Sequence, residues 1–226
     1  MNIDRNILKS KKCDEKTLIY LIRHGESVGN QNRVCLGHTD LDLTDLGLKQ
    51  AKKTAEELSY VDFDAIYSSD LIRAVHTAEP HAQIRGKTVK TSQNLRELYF
   101  GEWENASVAH LIEHHHEQFT VGWRQNFGTF TAPEGESVVH LAERMAEELE
   151  NIACTHINKN ILITSHAAAI RALWGKISGL EPSEWASAYP FPSNASYSVI
   201  EYKNGALMPI SYSNDAHLGD LITFIK

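Results

Sequence analysis

The sequence predicts an α/β protein built as a three-layer sandwich, in which a mainly parallel sheet carries helices on both faces and one segment is inserted as a cap. Short apolar, β-prone runs alternate with longer amphipathic runs, which is the pattern of strands joined by crossover helices. At about residues 102–136 aromatic, histidine and glycine residues break this alternation, and this segment is the predicted cap. The whole chain, residues 1–226, is therefore expected to form one domain with an insertion.

Strands and helices alternate from the start of the chain. The predicted strands of the first half are residues 17–22 (TLIYLI), 64–68 and 88–91. The first is a near-continuous apolar run, typical of a strand that is buried on both faces. Thr44 is a suitable N-cap for a helix to about Leu58, with Asp45 in its first turn, and Asp70 is expected to open the next helix. The apolar face predicted for the first helix consists of Leu48, Ala51, Ala55 and Leu58.

The alternation resumes after the cap. Helices are predicted from residue 137 to 152 and from about 167 to 178, with a core strand at residues 160–164 (NILIT) between them. The first helix has a clear apolar stripe, made by Val138, Leu141, Ala142, Met145, Leu149 and Ile152.

A hairpin is predicted near the C-terminus. It joins residues 197–202 to residues 207–212 through a turn at Asn204-Gly205. Pro209 restricts the returning strand to a sheet edge or a bulge, because proline cannot donate to the sheet. Within the cap, a helix is expected near residues 107–119.

Composition excludes several classes of protein. The 226 residues are 42% hydrophobic and 23% charged, which is ordinary for a soluble globular chain. A net charge of −7 disfavours a general nucleic-acid binder, which would usually be basic. No run approaches the roughly 20 apolar residues that cross a membrane. A small anionic partner remains compatible with the charge, because a few arginines can form a positive pocket in an acidic protein.

The N-terminus and the cysteines suggest a cytoplasmic protein. Residues 1–16 are polar and rich in lysine, without the apolar core of a secretion signal, and are interpreted as a partly ordered lead-in. Cys13, Cys35 and Cys154 are few and widely spaced, which favours reduced thiols over a disulfide framework. The oligomeric state is left open, and a homo-oligomer is compatible with the sequence.

Polar clusters follow three of the predicted strands. Arg23-His24 follows the first, residues 68–73 with Arg73 follow the second, and Ser165-His166 follows NILIT. Ligands of open parallel sheets bind beyond the carboxyl ends of the strands, so we expect these two histidines and two arginines to converge.

A tetrahedral phosphoryl group suits such a cluster. Its negative charge is spread over several oxygens, which planar guanidinium groups match well. An imidazole can then act as the nucleophile, because neighbouring positive charge lowers its pKa and keeps it neutral. The leaving group needs an acid, for which Glu97 is the preferred candidate. Other glutamates near the expected site are Glu102, Glu104 and Glu136.

The segment LIRHGESVGNQNR resembles the arginine-histidine-glycine signature of the histidine phosphatase superfamily, also called the phosphoglycerate mutase-like family. The resemblance extends over nearly the whole chain in an ordered set of motifs. These are Leu43-Thr44-Asp45-Leu46-Gly47, Tyr67-Ser68-Ser69 leading to Arg73, Leu95-Arg96-Glu97-Leu98-Tyr99-Phe100-Gly101-Glu102-Trp103, Gly135-Glu136-Ser137, Ser165-His166, and a final part near residues 214–218.

The resemblance implies a metal-independent double displacement without a cofactor. His24 is implied as the nucleophile that becomes phosphorylated, and Glu97 as the proton donor and later the base for water. The residues implied to bind the phosphoryl oxygens are Arg23, Asn30, Arg73, His166 and, through its backbone, Ala167. The family usually has glycine where this chain has Ala167, and often glycine where it has Asn105. Both departures bear on the substrate more than on the reaction.

The sequence allows three functions. A phosphatase acting on small phosphate monoesters is favoured over a cofactor-dependent phosphoglycerate mutase, because such mutases carry further basic residues in the cap and residues 118–136 here contain Arg124 alone. The mutase remains the alternative, since the opening motif resembles mutases. A non-catalytic phosphate-binding module is disfavoured because every expected chemical residue is present.

The histidine run His114-His115-His116 invites a metal-binding interpretation. Adjacent residues of a helix point in different directions, however, so the three cannot all face one ion, and no metal is expected there. The natural substrate is left open among sugar phosphates, phosphoglycerate, nucleotide-derived monoesters and a cobalamin precursor.

Overall fold

The computed structural model describes residues 16–223. Cys13 and most of the predicted lead-in lie outside these residues. The strands are β1 (Lys16–Arg23), β2 (Ala65–Ser69), β3 (Val89–Ser92), β4 (Asn160–Ser165), β5 (Tyr197–Lys203) and β6 (Ala206–Asn214). The α-helices are α1 (Val28–Gln31), α2 (Asp45–Glu57), α3 (Ile72–Arg85), α4 (Val108–His114), α5 (Val138–Cys154), α6 (Ala167–Ile177) and α7 (Trp185–Ala188). No helix of this described part is long and apolar enough to cross a membrane.

The strands form one sheet in the order β3-β2-β4-β1-β5-β6. The pairs β3–β2, β2–β4 and β4–β1 are parallel, whereas β5 and β6 add an antiparallel hairpin at one side. The predicted α/β class with a mainly parallel sheet is therefore confirmed. In register, Arg23 at the end of β1 faces Ser165 at the end of β4, so both strands stop at the same sheet edge.

Each face of the sheet buries its own apolar cluster. In β4, Ile161 and Ile163 belong to the larger cluster, with α5 and α6, whereas Leu162 belongs to the smaller one, with α3 and with Leu58 at the C-cap of α2. Alternate strand residues point to opposite faces, so one strand serves both layers of helices. The stripe predicted for α5 is buried at all six positions, which confirms that helix and its period.

Helix α2 begins as predicted, and three of the four residues predicted for its buried face, Ala51, Ala55 and Leu58, are buried. Thr44 caps it by accepting a hydrogen bond from the Gly47 nitrogen at 3.1 Å, and Asp45 lies in its first turn. Leu48, however, is 41% exposed, so its predicted burial was wrong. The buried positions of this helix are Gly47, Gln50, Ala51, Thr54 and Ala55, and two of them are polar residues that apolar periodicity could not include.

Helix α3 does not open at Asp70. Its N-cap is Leu71, which makes no side-chain capping bond. Asp70 instead forms a bidentate ion pair with Arg96, with oxygen–nitrogen distances of 2.7 and 2.6 Å. This fork pairs two opposite charges through two parallel hydrogen bonds, and it takes the carboxylate away from the helix.

The hairpin prediction is confirmed. Asn204 and Gly205 have φ angles of 55° and 80°, as a tight turn between twisted strands requires. Pro209 lies in β6 at the edge of the sheet, where the register shifts opposite Val199 and Ile200.

Two helical pieces lie where a single helix was predicted near residues 107–119. Helix α4 ends at His114, and a π-helical segment follows at Glu117–Gln125. Around them aromatic rings pack into the larger core cluster. Those rings belong to Phe100, Trp103, Phe119, Trp123, Phe127 and Phe130. Trp103 and Phe130 stack with ring centroids 5.5 Å apart, so aromatic packing holds this segment on the sandwich.

Candidate active site

Two histidines and two arginines meet at the carboxyl edge of the parallel strands. Arg23 ends β1 and His24 follows it, His166 follows β4, and Arg73 lies in the first turn of α3. The His24 backbone nitrogen donates to the Ser165 carbonyl at 2.9 Å, which joins the two strand ends. The ring centroids of His24 and His166 are 5.1 Å apart, and all four side chains are buried.

A backbone carbonyl determines which nitrogen of His24 can react. Nδ1 lies 2.7 Å from the Gly25 oxygen. A carbonyl oxygen only accepts hydrogen bonds, so Nδ1 carries the proton and donates it. In the neutral ring the lone pair therefore belongs to Nε2. This is the atom that can act as a nucleophile.

The same surroundings keep both histidines neutral. Burial lowers the pKa of His24 well below its ordinary value, and the charges of Arg73 and Arg23 lower it further. Burial likewise lowers the pKa of His166, with Arg73 and His24 adding to the effect. A protonated imidazole has no lone pair on Nε2, so a lowered pKa is what a nucleophilic histidine needs.

Several buried polar atoms at this point have no hydrogen-bond partner among the described residues. They are Nε of Arg23, Nε of Arg73 and both ring nitrogens of His166. Buried polar atoms without partners are costly, because the energy of removing them from water is not recovered. A tetrahedral anion placed between these side chains would accept hydrogen bonds from the two arginines and from the protonated ring nitrogen of His166.

The chain anchors the two arginines through backbone carbonyls. Arg23 Nη1 donates to the Pro192 oxygen at 2.6 Å, whereas Arg73 donates to the oxygens of Thr39 and Gly37 at 2.8 and 2.7 Å. Neutral carbonyls hold the guanidinium groups without neutralising them. Their positive charge thus remains available to an anion.

Glu97 lies at the start of α6, beside His166. Its Oε1 accepts from the Leu98 and Ala169 nitrogens at 2.9 and 3.1 Å, and its Oε2 accepts from Ala168 at 3.1 Å. It also lines the same cavity as His24 and the two arginines. A carboxyl group here is close enough to the helix start to exchange a proton with a group bound at that point.

The other glutamates considered from the sequence have different environments. Glu136 forms an ion pair with Arg144, with an oxygen–nitrogen distance of 2.7 Å, and Glu102 is exposed. Glu104 accepts from the backbone nitrogens of His38 and Thr39 at 3.0 and 2.8 Å. None of the three lines the cavity.

Glu104 has a supporting position that sequence reasoning missed. The loop that it holds, Gly37 to Thr39, supplies the carbonyls that hold Arg73. Gly37 has a φ of 50°, and a Cβ at this position would collide with the Glu104 carboxylate. The positive φ and the close contact explain a glycine here, but its partner is far along the chain and no local pattern reveals it.

Asn30 serves two purposes. It completes a capping box with Ser27 at the start of α1, and its Oδ1 also accepts from Asn194 Nδ2 at 3.0 Å. Both bonds to the side chain use the oxygen, which leaves its amide nitrogen as a donor. Asn30 lines the cavity, so this nitrogen is suited to an anion there.

The two departures from the family pattern have local explanations. Asn105 has a φ of 63°, a left-handed conformation that asparagine tolerates better than most residues other than glycine. Ala167 is the first residue of α6, lines the cavity and is buried. Its backbone nitrogen lies at the positive end of the helix dipole, which favours an anion.

The cavity holding these groups has a volume of about 930 Å³. Its basic side chains are Arg23, Arg33, Arg73, Arg124 and Arg171. Its carboxylates are Glu26 and Glu97. Two aromatic residues of the 102–136 segment, Phe119 and Trp123, also line it. Sequence reasoning did not select Arg171 or Glu26, because a single arginine in a helix and a glutamate in a loop carry no distinctive pattern.

The part of the chain that the structure describes contains no candidate metal centre at this site. Within residues 16–223, no three histidine, cysteine, aspartate or glutamate side chains are arranged to hold a metal ion. His114 lies instead near His110, with ring centroids 4.5 Å apart, and His115 packs near Trp103 at 5.9 Å.

Comparison with known proteins agrees with this geometry. The sheet and the pocket define an α/β protein in which buried arginines and histidines cluster at the carboxyl ends of the parallel strands. Residues 19–215 match the model of the histidine phosphatase superfamily (branch 1), and the chain belongs to this superfamily.

Two named relatives and one solved structure are similar to this protein over most of the chain. Phosphoserine phosphatase 1 of Hydrogenobacter thermophilus is 31% identical over 203 residues, 89% of this chain and 94% of that protein. The probable phosphoglycerate mutase GpmB of Proteus mirabilis is 34% identical, over 82% of this chain and 85% of that protein. The structure of Bacillus stearothermophilus YhfR superposes with a TM-score of 0.83 at 25% identity, covering 89% of this chain and 99% of that one.

Proposed function

We propose that this protein hydrolyses small-molecule phosphate monoesters through a phosphohistidine formed on Nε2 of His24. The observation that carries the proposal is the state of His24. Its proton is held on Nδ1 by a carbonyl, its pKa is lowered well below the ordinary value, and two unneutralised arginines lie beside it. Membership of the superfamily and relatives named as phosphatases support the same reaction.

In the first step, Nε2 of His24 attacks phosphorus and forms the nitrogen–phosphorus bond while the bond to the leaving oxygen breaks. Glu97 gives its proton to that oxygen, and the alcohol departs. In the second step, Glu97 takes a proton from water, whose oxygen attacks phosphorus, and His24 is released together with phosphate.

The hydrogen-bond donors of the pocket, two of them charged arginines, would stabilise charge on the phosphoryl oxygens. The groups proposed for this purpose are Arg23, Arg73, His166, the amide of Asn30 and the backbone nitrogen of Ala167. Donors fixed in advance in a water-poor site contribute more than the same donors in water. Because they already provide positive charge, we propose that no divalent cation or other cofactor takes part.

A small substrate fits a cavity of about 930 Å³ better than a macromolecule does. We propose that residues 102–136 act as a cap on a single domain, since Phe119 and Trp123 of this segment line the cavity. The relatives named for phosphoserine and phosphoglycerate act on compounds of this size. Free thiols at Cys35 and Cys154 agree with the cytoplasm as the expected location.

The alternative is a phosphoglycerate mutase, and the relative named as a probable mutase favours it. Arg33 and Arg124 also line the cavity and could hold a second phosphate. A mutase would convert 3-phosphoglycerate to 2-phosphoglycerate and depend on a bisphosphate activator. A phosphatase would release inorganic phosphate instead, and following both products in one reaction separates the two activities.

The test is a panel of phosphorylated metabolites assayed with excess EDTA. The proposal predicts phosphate release that EDTA does not reduce. Turnover that EDTA removes and magnesium or zinc restores would contradict the metal-independent reaction.

A further inference from the structure

The cavity also contains Arg171, a buried arginine that the proposed phosphoryl transfer does not use. Arg171 in α6 is only 4% exposed and lines the same cavity as His24. Its Nε donates to the Tyr189 oxygen at 2.7 Å and its Nη2 to the Ala186 oxygen at 2.8 Å. Its Nη1 is buried and has no hydrogen-bond partner in the described part of the chain.

Two aromatic rings enclose this guanidinium. Its central carbon lies 4.4 Å from the ring centroid of Phe127 and 4.2 Å from that of Phe191. The rings and the two carbonyls fix its position, but none of these groups carries a negative charge. Burial lowers the pKa of Arg171 to about 10, so it remains charged at neutral pH. No carboxylate among residues 16–223 forms an ion pair with it.

Helix α6 places this charge close to the expected phosphoryl position. Ala167 and Ala168 line the cavity at the start of the helix, and Arg171 follows them by four and three residues. Residues at these spacings share one helix face, about one turn or 5.4 Å apart along the axis. A ligand that reaches both positions therefore needs two anionic groups separated by only a few bonds.

We propose that Arg171 binds a carboxylate of the substrate, so that the preferred substrates are phosphate monoesters of small hydroxy acids or amino acids. This assignment rests on the proposed function, because it concerns the non-reacting end of the ester hydrolysed at His24. Nη1 donates to the carboxylate while the other donors of Arg171 keep the guanidinium in place.

A carboxylate suits this position better than a second phosphate does. Only Nη1 of Arg171 lacks a hydrogen-bond partner among the described residues and could bind a ligand, and the rings of Phe127 and Phe191 surround the guanidinium. Burying a dianion costs more than burying a monoanion, and a single cation cannot balance two charges. A singly charged carboxylate matches the single charge of Arg171.

Two matched substrate pairs test the assignment. Phosphoserine differs from phosphoethanolamine by its carboxylate alone, and 3-phosphoglycerate has a carboxylate where glycerol 3-phosphate has a hydroxymethyl group. We expect the wild type to favour the acid of each pair at least tenfold in kcat/KM. In Arg171→Met that preference should fall at least tenfold, chiefly through KM, and Arg171→Lys should keep part of it.

Lys176→Met is the matched control, because it removes one positive charge from an exposed position of the same helix. It should leave the preference for the acids unchanged. If Arg171→Met does not fold, inhibition of the wild type provides the measurement: glycerate and serine should compete with substrate, whereas glycerol and ethanolamine at equal concentration should not.

Equal use of both members of each pair by the wild type would overturn the assignment, as would an equal loss on both members in Arg171→Met. A preference for bisphosphates over carboxylates that depends on Arg171 would identify a second phosphate as the occupant and would also overturn it. Failure of the proposed function looks different, because the wild type would then hydrolyse no monoester of either kind, nitrophenyl phosphate included.

Discussion

Glu97 Oε2 lies 3.1 Å from the backbone nitrogen of Ala168, so the proposed acid rests on the first turn of the helix that begins after His166. Its other oxygen accepts from Ala169 at 3.1 Å. The helix start therefore positions the carboxyl group and the phosphoryl-binding groups together. In the proposed reaction, this arrangement would bring the proton transfer and the phosphoryl transfer together.

Glu97→Gln should slow turnover, and the loss should depend on the leaving group. Nitrophenolate hardly needs a proton, so nitrophenyl phosphate should be affected least, whereas a sugar or glycerate phosphate should be affected most. Steady-state kinetics across a series of leaving groups measures this. Equal slowing of good and poor leaving groups would show that the acid is another residue.

Arg73→Ala should lower turnover by on the order of 10²–10³, because one charged donor to the phosphoryl oxygens is lost. Glu79→Ala on the exposed side of the same helix is the control and should have no such effect. The measurement is kcat with a good substrate. A change below threefold in Arg73→Ala would place this side chain outside the reaction.

Glu104→Gln should lower kcat by roughly tenfold through Arg73, because the Gly37 to Thr39 loop that anchors Arg73 loses charge-assisted hydrogen bonds, each contributing about 1.5–3 kcal/mol. A merely structural effect would add to that of Arg73→Ala. A positioning effect should largely disappear in the Arg73→Ala background, which a double-mutant cycle on kcat measures. Additive losses would contradict the positioning.

His81→Leu should flatten the dependence of stability on pH. His81 is fully buried in α3, and burial, with Arg85 and His217 adding, lowers its pKa to about 3. Between about pH 3 and 6.5 the unfolded chain binds a proton that the folded chain does not, so the free energy of unfolding falls as pH decreases. Each such histidine contributes a slope of up to about 1.4 kcal/mol per pH unit.

Urea denaturation between pH 5 and 6.5 checks this, with His140→Leu, at an exposed position, as the control. The wild type should lose stability more steeply than His81→Leu as pH decreases. Parallel curves for the two proteins would show that His81 is protonated in the folded state or is already neutral in the unfolded chain.

Local pattern accounted for most of the fold, because strand and helix periods, Thr44 and the Asn204-Gly205 turn act over a few residues. The errors came from partners distant in the chain. Leu48 is exposed because polar Gln50 takes a buried position, where its amide bonds the Leu221 oxygen at 2.7 Å. Likewise Asp70 binds Arg96 and so does not cap α3.

The same limit applies to the site. His24, Arg73 and His166 follow strands, so the rule that strand ends share one edge was enough to bring them together. Arg171 gave no such signal. Its proposed role in substrate binding depends on Phe127 and Phe191, which contact it from separate segments of the chain. Only folding brings these three residues together.

Rapid-quench trapping of a phosphoenzyme tests the central claim most directly. Wild-type protein, mixed with a labelled phosphate ester and quenched within milliseconds, should carry label that is lost in acid and kept in base, as phosphohistidine is. His24→Ala should show neither the label nor turnover, because the variant lacks Nε2, the nucleophile of the proposed reaction. Label of the same kind on His24→Ala, or turnover by the wild type with no phosphoenzyme at any time, would contradict the account.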